Sequence, residues 1–315
     1  MTHLQPDDPA LRTERDHLVI ATARGGRVRG AAVRSTETVT ELMRRHDLSP
    51  VSTIALGRLA VCTQLMAAGL KNPTDVMSVT LRCDGPLRGM VMVSDARSRV
   101  RGYAMEPHAV LVPGADGKIH FREAVQSGSL TVVKDLGLKK PYSGTVALVS
   151  GEIAEDLTAY LAISEQVPSV LAAGVLLGGT GVRLAGGLLV QLMPDATEAD
   201  IDYIERRAAG FPDISFLLSE GFTPAECLDL FWGDPALNYL DCRPVGFHCN
   251  CSRPRMLRNL LAIGRADLAE LAEDPNGVEL VCHFCGTSYA FDQAAVRDLL
   301  TAGKPHETTG ADQPV

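Results

Sequence analysis

The sequence predicts an α+β protein: a large mixed α/β body over residues 1–194, an amphipathic helical linker over 195–245, and a small cysteine-bearing domain over 246–315 that ends in a disordered tail. Three observations carry this prediction. Upstream of Pro194, apolar runs of strand length alternate with capped helical patterns. Downstream of it come short helical patterns with one apolar face. Beyond residue 246, four cysteines fall into two close pairs. A chain of 315 residues is long enough to bury a sizeable core, and it divides most naturally into one large domain and one small one.

In chain order, Leu18 to Ala23 reads as a strand, and Arg24 to Arg29, with its glycines, as a turn. A helix follows over Thr36 to His46. A longer one runs from Pro50 to about Leu70, introduced by Ser49 as N-cap and Pro50 at the first helical position. Val76 to Cys83, Leu87 to Ser94 and Val100 to Met105 read as strands, with an Asp84-Gly85 turn signal between the first two. Gly144 to Val149 is a further strand and Glu152 to Ala162 a helix. Val170 to Leu177 and Val182 to Leu192 read as a hairpin whose turn is the glycine cluster Gly178 to Gly181. In the linker, Ala196 to Arg207 places Ile201 and Ile204 on one face and Asp200, Asp202, Glu205 and Arg206 elsewhere. Thr223, Pro224 and Glu226 form a capping box for a short helix that carries Cys227, Leu228, Leu230, Phe231 and Trp232.

Composition argues against several function classes. With 46% apolar and 22% charged residues the chain has a globular rather than a disordered profile. A net charge of -8 argues against a non-specific polyanion binder, which needs a basic field, and the scarcity of Trp and Tyr argues against aromatic stacking platforms for nucleic acid. The polar stretch Met1 to Ala10 is read as carrying no signal peptide. The longest apolar stretch, Val167 to Val190, is interrupted by Pro168, Ser169, glycines and Arg183, a combination rare in membrane helices. A cytoplasmic protein is therefore expected. In that reducing compartment its eight cysteines are expected as metal ligands, core residues or redox sensors rather than permanent disulfides.

Four of the eight are scattered. Cys62, Cys83 and Cys227 are expected as small core hydrophobes, and Cys242 as a spare thiol. The other four read Cys249-Asn-Cys251 and, after thirty residues, Cys282-His-Phe-Cys285. Each close pair supplies two adjacent corners of a tetrahedron from one tight turn, so the pattern points to one zinc ion held by four thiolates. The spacings match neither common ferredoxin pattern, which places an iron–sulfur cluster second, and thiolate softness excludes magnesium and calcium. Four cysteines complete a closed site, so His248 and His283 are expected as hydrogen-bonding or solvent-facing neighbours rather than ligands.

Two outcomes stay open on these residues alone. A structural zinc knuckle or ribbon would hold the domain together, or bind protein or nucleic acid. Alternatively, a Cys-x-Cys pair permits a disulfide only in strained, readily reduced geometry, and metal-bound thiolates are nucleophilic toward peroxide or hypochlorous acid. Oxidation would then eject the metal and, where folding depends on it, unfold the domain.

Two motifs bear on the choice. The first is Phe247-His-Cys249-Asn-Cys251-Ser252 with Cys282-His-Phe284-Cys285-Gly286-Thr-Ser-Tyr289-Ala-Phe291. The second is Lys134-Asp-Leu-Gly-Leu138, Pro141-Tyr-Ser-Gly144 and Val149-Ser-Gly-Glu-Ile-Ala-Glu-Asp156, continued by Ser164-Glu165-Gln166 and Pro168-Ser169. On both, over most of its length, the chain resembles the family of thirty-three-kilodalton redox-regulated heat-shock chaperones, bacterial ATP-independent holdases. The resemblance implies that Cys249, Cys251, Cys282 and Cys285 bind one zinc ion in the reduced form and make residues 246–315 a zinc-binding redox-switch domain. It further implies that oxidants convert them into Cys249–Cys251 and Cys282–Cys285 disulfides, release zinc, unfold the linker and favour a homodimer. The N-terminal body would then hold unfolding client proteins, with no nucleotide and no nucleic-acid or membrane partner.

The inventory of catalytic motifs is poor. There is no Gly-x-Gly-x-x-Gly after a strand, no P-loop Gly-Lys-Ser, no His-Glu-x-x-His and no Gly-x-Ser-x-Gly. Glu152, Glu155 and Asp156 within one turn are read as charges complementing a helix start. An oxidoreductase working through Cys282 and Cys285 is disfavoured, because two cysteine pairs point to metal sequestration. No enzyme is expected.

Overall fold

The computed structural model describes residues 8–112, 120–179, 181–233 and 237–301; the expected disordered tail lies outside them. The chain divides into two compact units, Met1–Cys249 and Asn250–Val315. The first unit runs β1 (His17–Ala23), β2 (Val28–Arg34), α1 (Thr36–His46), α2 (Pro50–Ala67), β3 (Val76–Cys83), β4 (Gly89–Asp95), β5 (Val100–Ala104), α3 (Arg122–Val125), β6 (Gly128–Asp135) and β7 (Tyr142–Ala147). It continues with α4 (Ile153–Ile163), β8 (Ser169–Gly178), β9 (Gly181–Leu192), α5 (Glu198–Ala209), α6 (Ile214–Ser219), α7 (Pro224–Trp232) and β10 (Asn238–Pro244).

Two antiparallel five-stranded sheets result, ordered β10-β1-β2-β9-β8 and β5-β4-β3-β6-β7. The first is covered on both faces. Leu18 and Ile20 of β1 enter one core, and Val19, Ala21 and Ala23 enter the other. Ala31, Val33, Ala185 and Leu189 follow the first pair; Val28, Ala32, Leu184, Leu188 and Val190 follow the second. A strand buried on both sides selects continuous small and apolar residues rather than alternation. The second sheet buries one face, so Met77, Val79 and Leu81 alternate with more exposed neighbours.

The helix α2 packs against β8 and β9 on one side and β3, β4 and β5 on the other. It is apolar nearly all round, and its N-cap is Ser49, which accepts a hydrogen bond from Ser52 N as the sequence predicts. By length and composition it could cross a membrane, yet 78% of it is buried within the fold, which makes it a core helix.

On the outer face of the first sheet, α5, α6 and α7 close the second core. Ile204, Leu217, Leu218, Cys227, Leu228, Phe231 and Trp232 pack there with Val19, Val28, Leu188 and Tyr239. The approach is close enough to require glycine: a Cβ on Gly30 would stand 2.8 Å from Leu228 Cδ2, and one on Gly186 2.6 Å from Leu218 Cδ1. The predicted capping box of α7 is present between Thr223 and Glu226, and Gly233 ends the helix at φ 59°.

The helix α5 is fastened near both ends. Asp200, fully buried, accepts hydrogen bonds from Arg24, from Arg27 Nε at 2.8 Å and from the Thr197 backbone at 3.0 Å. Further along, Tyr203 Oη donates to the Trp232 carbonyl, and the Arg207 guanidinium donates to the Leu230 and Phe231 carbonyls. These side chains satisfy carbonyls that the end of α7 cannot pair internally.

Three strands of the first unit escaped the sequence pattern. The turn read over Arg24 to Arg29 covers a real turn at Arg24–Gly26, but β2 begins at Val28. Its Gly30-Ala31-Ala32 centre carries little hydrophobicity because helices press on both sides. β10 falls within the stretch read as helical; it pairs with β1 at the sheet edge and fully buries only Tyr239, so it shows no apolar stripe. β6, between β3 and β7, was not singled out.

The second unit holds α8 (Arg253–Leu261), α9 (Arg265–Leu271), β11 (Val278–Val281), β12 (Ser288–Phe291) and α10 (Gln293–Thr301). The strands β11 and β12 form an antiparallel hairpin from Val278↔Phe291 to Val281↔Ser288. Among the described residues its buried apolar side chains, the cysteines aside, are Met256, Leu260, Leu268, Ala272, Phe291 and Val296. A core this small gives a unit of such length little stability of its own.

Candidate metal centre

The β11–β12 hairpin builds half of the site. Cys282 N donates to the Thr287 carbonyl at 2.9 Å, and the Cys282 carbonyl accepts from Cys285 N at 3.2 Å and Gly286 N at 2.8 Å. Gly286, at φ 69°, supplies the left-handed residue that closes this knuckle. The other half, Cys249-Asn250-Cys251, stands just ahead of α8, whose N-cap Ser252 accepts from Arg255 N at 3.4 Å. Arg253 ties α8 to the hairpin: its Nη1 donates to the Ala290 carbonyl at 2.6 Å, and its guanidinium lies 4.4 Å from the centre of the Phe291 ring.

The four sulfurs of Cys249, Cys251, Cys282 and Cys285 all lie within 4.8 Å of one another. Cys282 and Cys285 are buried, Cys249 and Cys251 half-buried, and none is in a disulfide. Cys251 Sγ is 3.3 Å from Cys285 Sγ. Zinc–sulfur bonds of about 2.3 Å put the sulfurs of a tetrahedral site about 3.8 Å apart, so this donor set fits a zinc ion after shifts of about half an ångström. Four soft donors do not suit magnesium or calcium. Neither His248 nor His283 belongs to the converging group. His248 N instead donates to the Val100 carbonyl at 2.8 Å, in a short bridge that also joins Phe247 to Val100.

Two hydroxyls face the sulfurs, and the sequence reading gave neither a role. Tyr289 Oη lies 3.1 Å from Cys251 Sγ, and Thr287 Oγ1 lies 3.2 Å from Cys285 Sγ. Both residues were inside the first motif, but spacing alone does not show which way they face. Burial pushes the Cys285 thiol up; hydrogen bonds with Thr287, Cys251 and Cys282 outweigh it and bring the thiol down to about 7. The Tyr289 phenol is pushed up to about 12, chiefly by its hydrogen bond to Cys251, so it stays protonated and remains a donor. A thiol ready to ionise near neutral pH is what cation binding requires.

The remaining cysteines are of another kind. Cys62 and Cys227 are fully buried in the two cores, and burial pushes both thiols up to about 12. Burial also raises Cys83, which is half-buried. Cys242 donates to the Ala10 carbonyl at 3.3 Å, and burial pushes it up to about 11. Thiols held protonated in this way are poor nucleophiles.

The second motif fastens the β6–β7 hairpin to α4. Lys134 pairs with Glu165 at 2.6 Å, and Tyr142 Oη donates to the Ser164 carbonyl at 2.9 Å. A Cβ on Gly144 would run into Ser164 Oγ. Asp156 is buried and accepts from Val149 N at 2.7 Å and Ser150 N at 3.0 Å, while Glu152 pairs with Arg58 at 2.8 Å. The acidic helix start is thus spent on anchoring.

A large α/β body followed by a small unit in which four cysteines converge is the class of protein that fold and site define. The Hsp33 protein family model matches residues 16–292, and the chain belongs to the Hsp33 family, a family of chaperones. The 33 kDa chaperonin of Ruminiclostridium cellulolyticum is 45% identical over 285 residues, covering 90% of this chain and 98% of the relative. That of Enterococcus faecalis is 41% identical over 286 residues, covering 90% and 96%. The crystal structure of the 33 kDa chaperonin, a heat shock protein 33 homologue, from Thermotoga maritima matches with a TM-score of 0.84 at 33% identity, covering 92% of this chain and 99% of that one.

Proposed function

We propose that this chaperone is a redox-switched, ATP-independent holdase. One observation carries the reading: the Cys-x-Cys and Cys-x-x-Cys sulfurs converge within 4.8 Å in a module whose own core is small. In the reduced form Cys249, Cys251, Cys282 and Cys285 hold one zinc ion, which supplies a cross-link between the hairpin knuckle and the segment ahead of α8. Oxidation removes the ligands themselves. As the four thiolates become the Cys249–Cys251 and Cys282–Cys285 disulfides they lose two electrons per disulfide, and one peroxide is reduced to two hydroxides for each. Neutral disulfide sulfur no longer holds a cation, and the domain over 246–315 loses the fold that depended on it.

The linker over 195–245 then leaves the body over 1–194. Departure of α5 to α7 uncovers Val19, Val28, Ala32, Leu188 and Val190, an apolar face that can hold unfolding client proteins. The oxidised protein forms a homodimer, acts in the cytoplasm, and has no nucleic-acid, membrane or enzymatic role. The test follows zinc with a colorimetric chelator while peroxide is added at elevated temperature, and in parallel assays suppression of aggregation of a thermally unfolding protein. Release of one zinc with reversible gain of holding activity supports the switch. Zinc that stays bound, or leaves with no gain, makes this a structural zinc-binding adaptor instead.

A further inference from the structure

Alternate residues of a strand share a face, so Tyr289 and Phe291 project from β12 to the same side. Phe291 is buried in the small core, and half-buried Tyr289 extends to Cys251, its Oη 3.1 Å from Sγ. A thiolate has no proton to give, so the phenol is the donor. From this geometry we propose that Tyr289 is a positioning residue that restrains oxidation of Cys251, setting how readily that sulfur reacts with peroxide. The proposal rests on the redox reading above and deepens it.

The physical argument concerns the sulfur lone pair. Four thiolates around a divalent cation carry net negative charge, and hydrogen bonds to sulfur stabilise that charge and tune the centre. The same lone pair attacks peroxide. In the first step Cys251 sulfur bonds to one peroxide oxygen, the O–O bond breaks, and hydroxide leaves, giving a sulfenic acid. In the second, a neighbouring thiolate attacks that sulfur and the bound oxygen departs as a second hydroxide. Two thiolates have lost two electrons, and one peroxide has become two hydroxides. Sulfur loses its charge along this path, so the phenol stabilises the starting thiolate more than the transition state and raises the barrier.

The experiment compares the wild-type chain with Tyr289→Phe in zinc-loaded, reduced form. Loss of the Cys251 thiol under excess peroxide is timed by differential alkylation and mass spectrometry. Zinc competition by a chelator without peroxide, and thermal unfolding, are measured alongside. Removing one hydrogen bond of ordinary worth should speed Cys251 oxidation roughly three- to tenfold, with a smaller loss of zinc affinity, because the phenol also bonds the metal-free sulfur, and with unfolding near wild-type. Should the phenylalanine variant fold poorly, 3-fluorotyrosine at position 289, similar in size and a stronger donor, should slow oxidation. Oxidation at the wild-type rate in either variant overturns the proposal. So does acceleration matched by an equal loss of zinc affinity, which would make Tyr289 a packing residue only. Wild-type protein that keeps its thiols and zinc under peroxide defeats the redox reading itself, and this inference with it.

Discussion

Replacing Asp200 with Asn should loosen the linker helices without touching a cysteine. The carboxylate is fully buried and gathers Arg24, Arg27 and its own N-cap Thr197, so it pins the start of α5 to the β1–β2 turn. Asn keeps an acceptor for Thr197 and removes the charge. Removing one partner of a buried ion pair costs roughly 3–5 kcal/mol. Here Arg24 and Arg27 keep 28% and 34% of their side chains exposed, and water compensates them. The low end, about 3 kcal/mol, is therefore appropriate. At about 1.4 kcal/mol per tenfold, states with α5 detached should become more populated by roughly two orders of magnitude.

Hydrogen exchange read by mass spectrometry on the reduced, zinc-loaded protein measures this directly. Peptides from α5 should exchange roughly a hundredfold faster. Those from α7 should follow, because Tyr203 and Arg207 of α5 occupy carbonyls at its end. Peptides from β3, β4 and β6 should not change. Unchanged exchange in α5, or equal acceleration throughout the first unit, would refute the reasoning. Acid offers a second arm. Arg27 and Arg24 hold the Asp200 carboxyl well below the usual carboxylate range. A depressed native pKa contributes stability that is complete above the unfolded value, about 3.9, and is lost only as pH falls toward the native one. The difference between wild-type and D200N should accordingly be the same at any pH from roughly 5 to 8.

Further outcomes follow from the same geometry. The single tryptophan, Trp232, ends α7 and is buried against the first sheet, so its emission should be blue in the reduced protein and, under the proposed switch, shift red on treatment with peroxide at elevated temperature. Cys282→Ser should abolish stoichiometric zinc, measured by elemental analysis, and raise hydrogen exchange across β11 and β12 while β1 and β9 stay protected. Leu228→Ala, which empties a site in the second core, should cost about 2–5 kcal/mol in denaturant unfolding of the first unit. Cys62 and Cys227 should resist alkylation in the native protein at neutral pH. Because burial raises both thiols to about 12, their contribution to stability is complete below the unfolded thiol value, about 8.5, and declines as pH rises from there toward the native value.

What was legible in the sequence is what a few neighbouring residues decide. Ser49 and Pro50 announce α2, Thr223 and Glu226 announce α7, and the alternation from Val76 to Cys83 marks β3, because caps and strand periods act within one or two turns of chain. The cysteine pairs named a four-thiolate set for the same reason: each pair is a local turn presenting two donors. β2 and β10 stayed hidden because their residues answer to distant helices and an edge position rather than to a local period.

The sequence by itself picked out the four cysteines that converge, the main helices and a small cysteine-bearing end. Tertiary structure decided the rest. Arg24 meets Asp200 across 176 positions, and Cys251 meets Tyr289 across 38. No periodicity reports such meetings, because they depend on sheet register, hairpin closure and which helix face docks, and each of these is settled by packing over the whole chain.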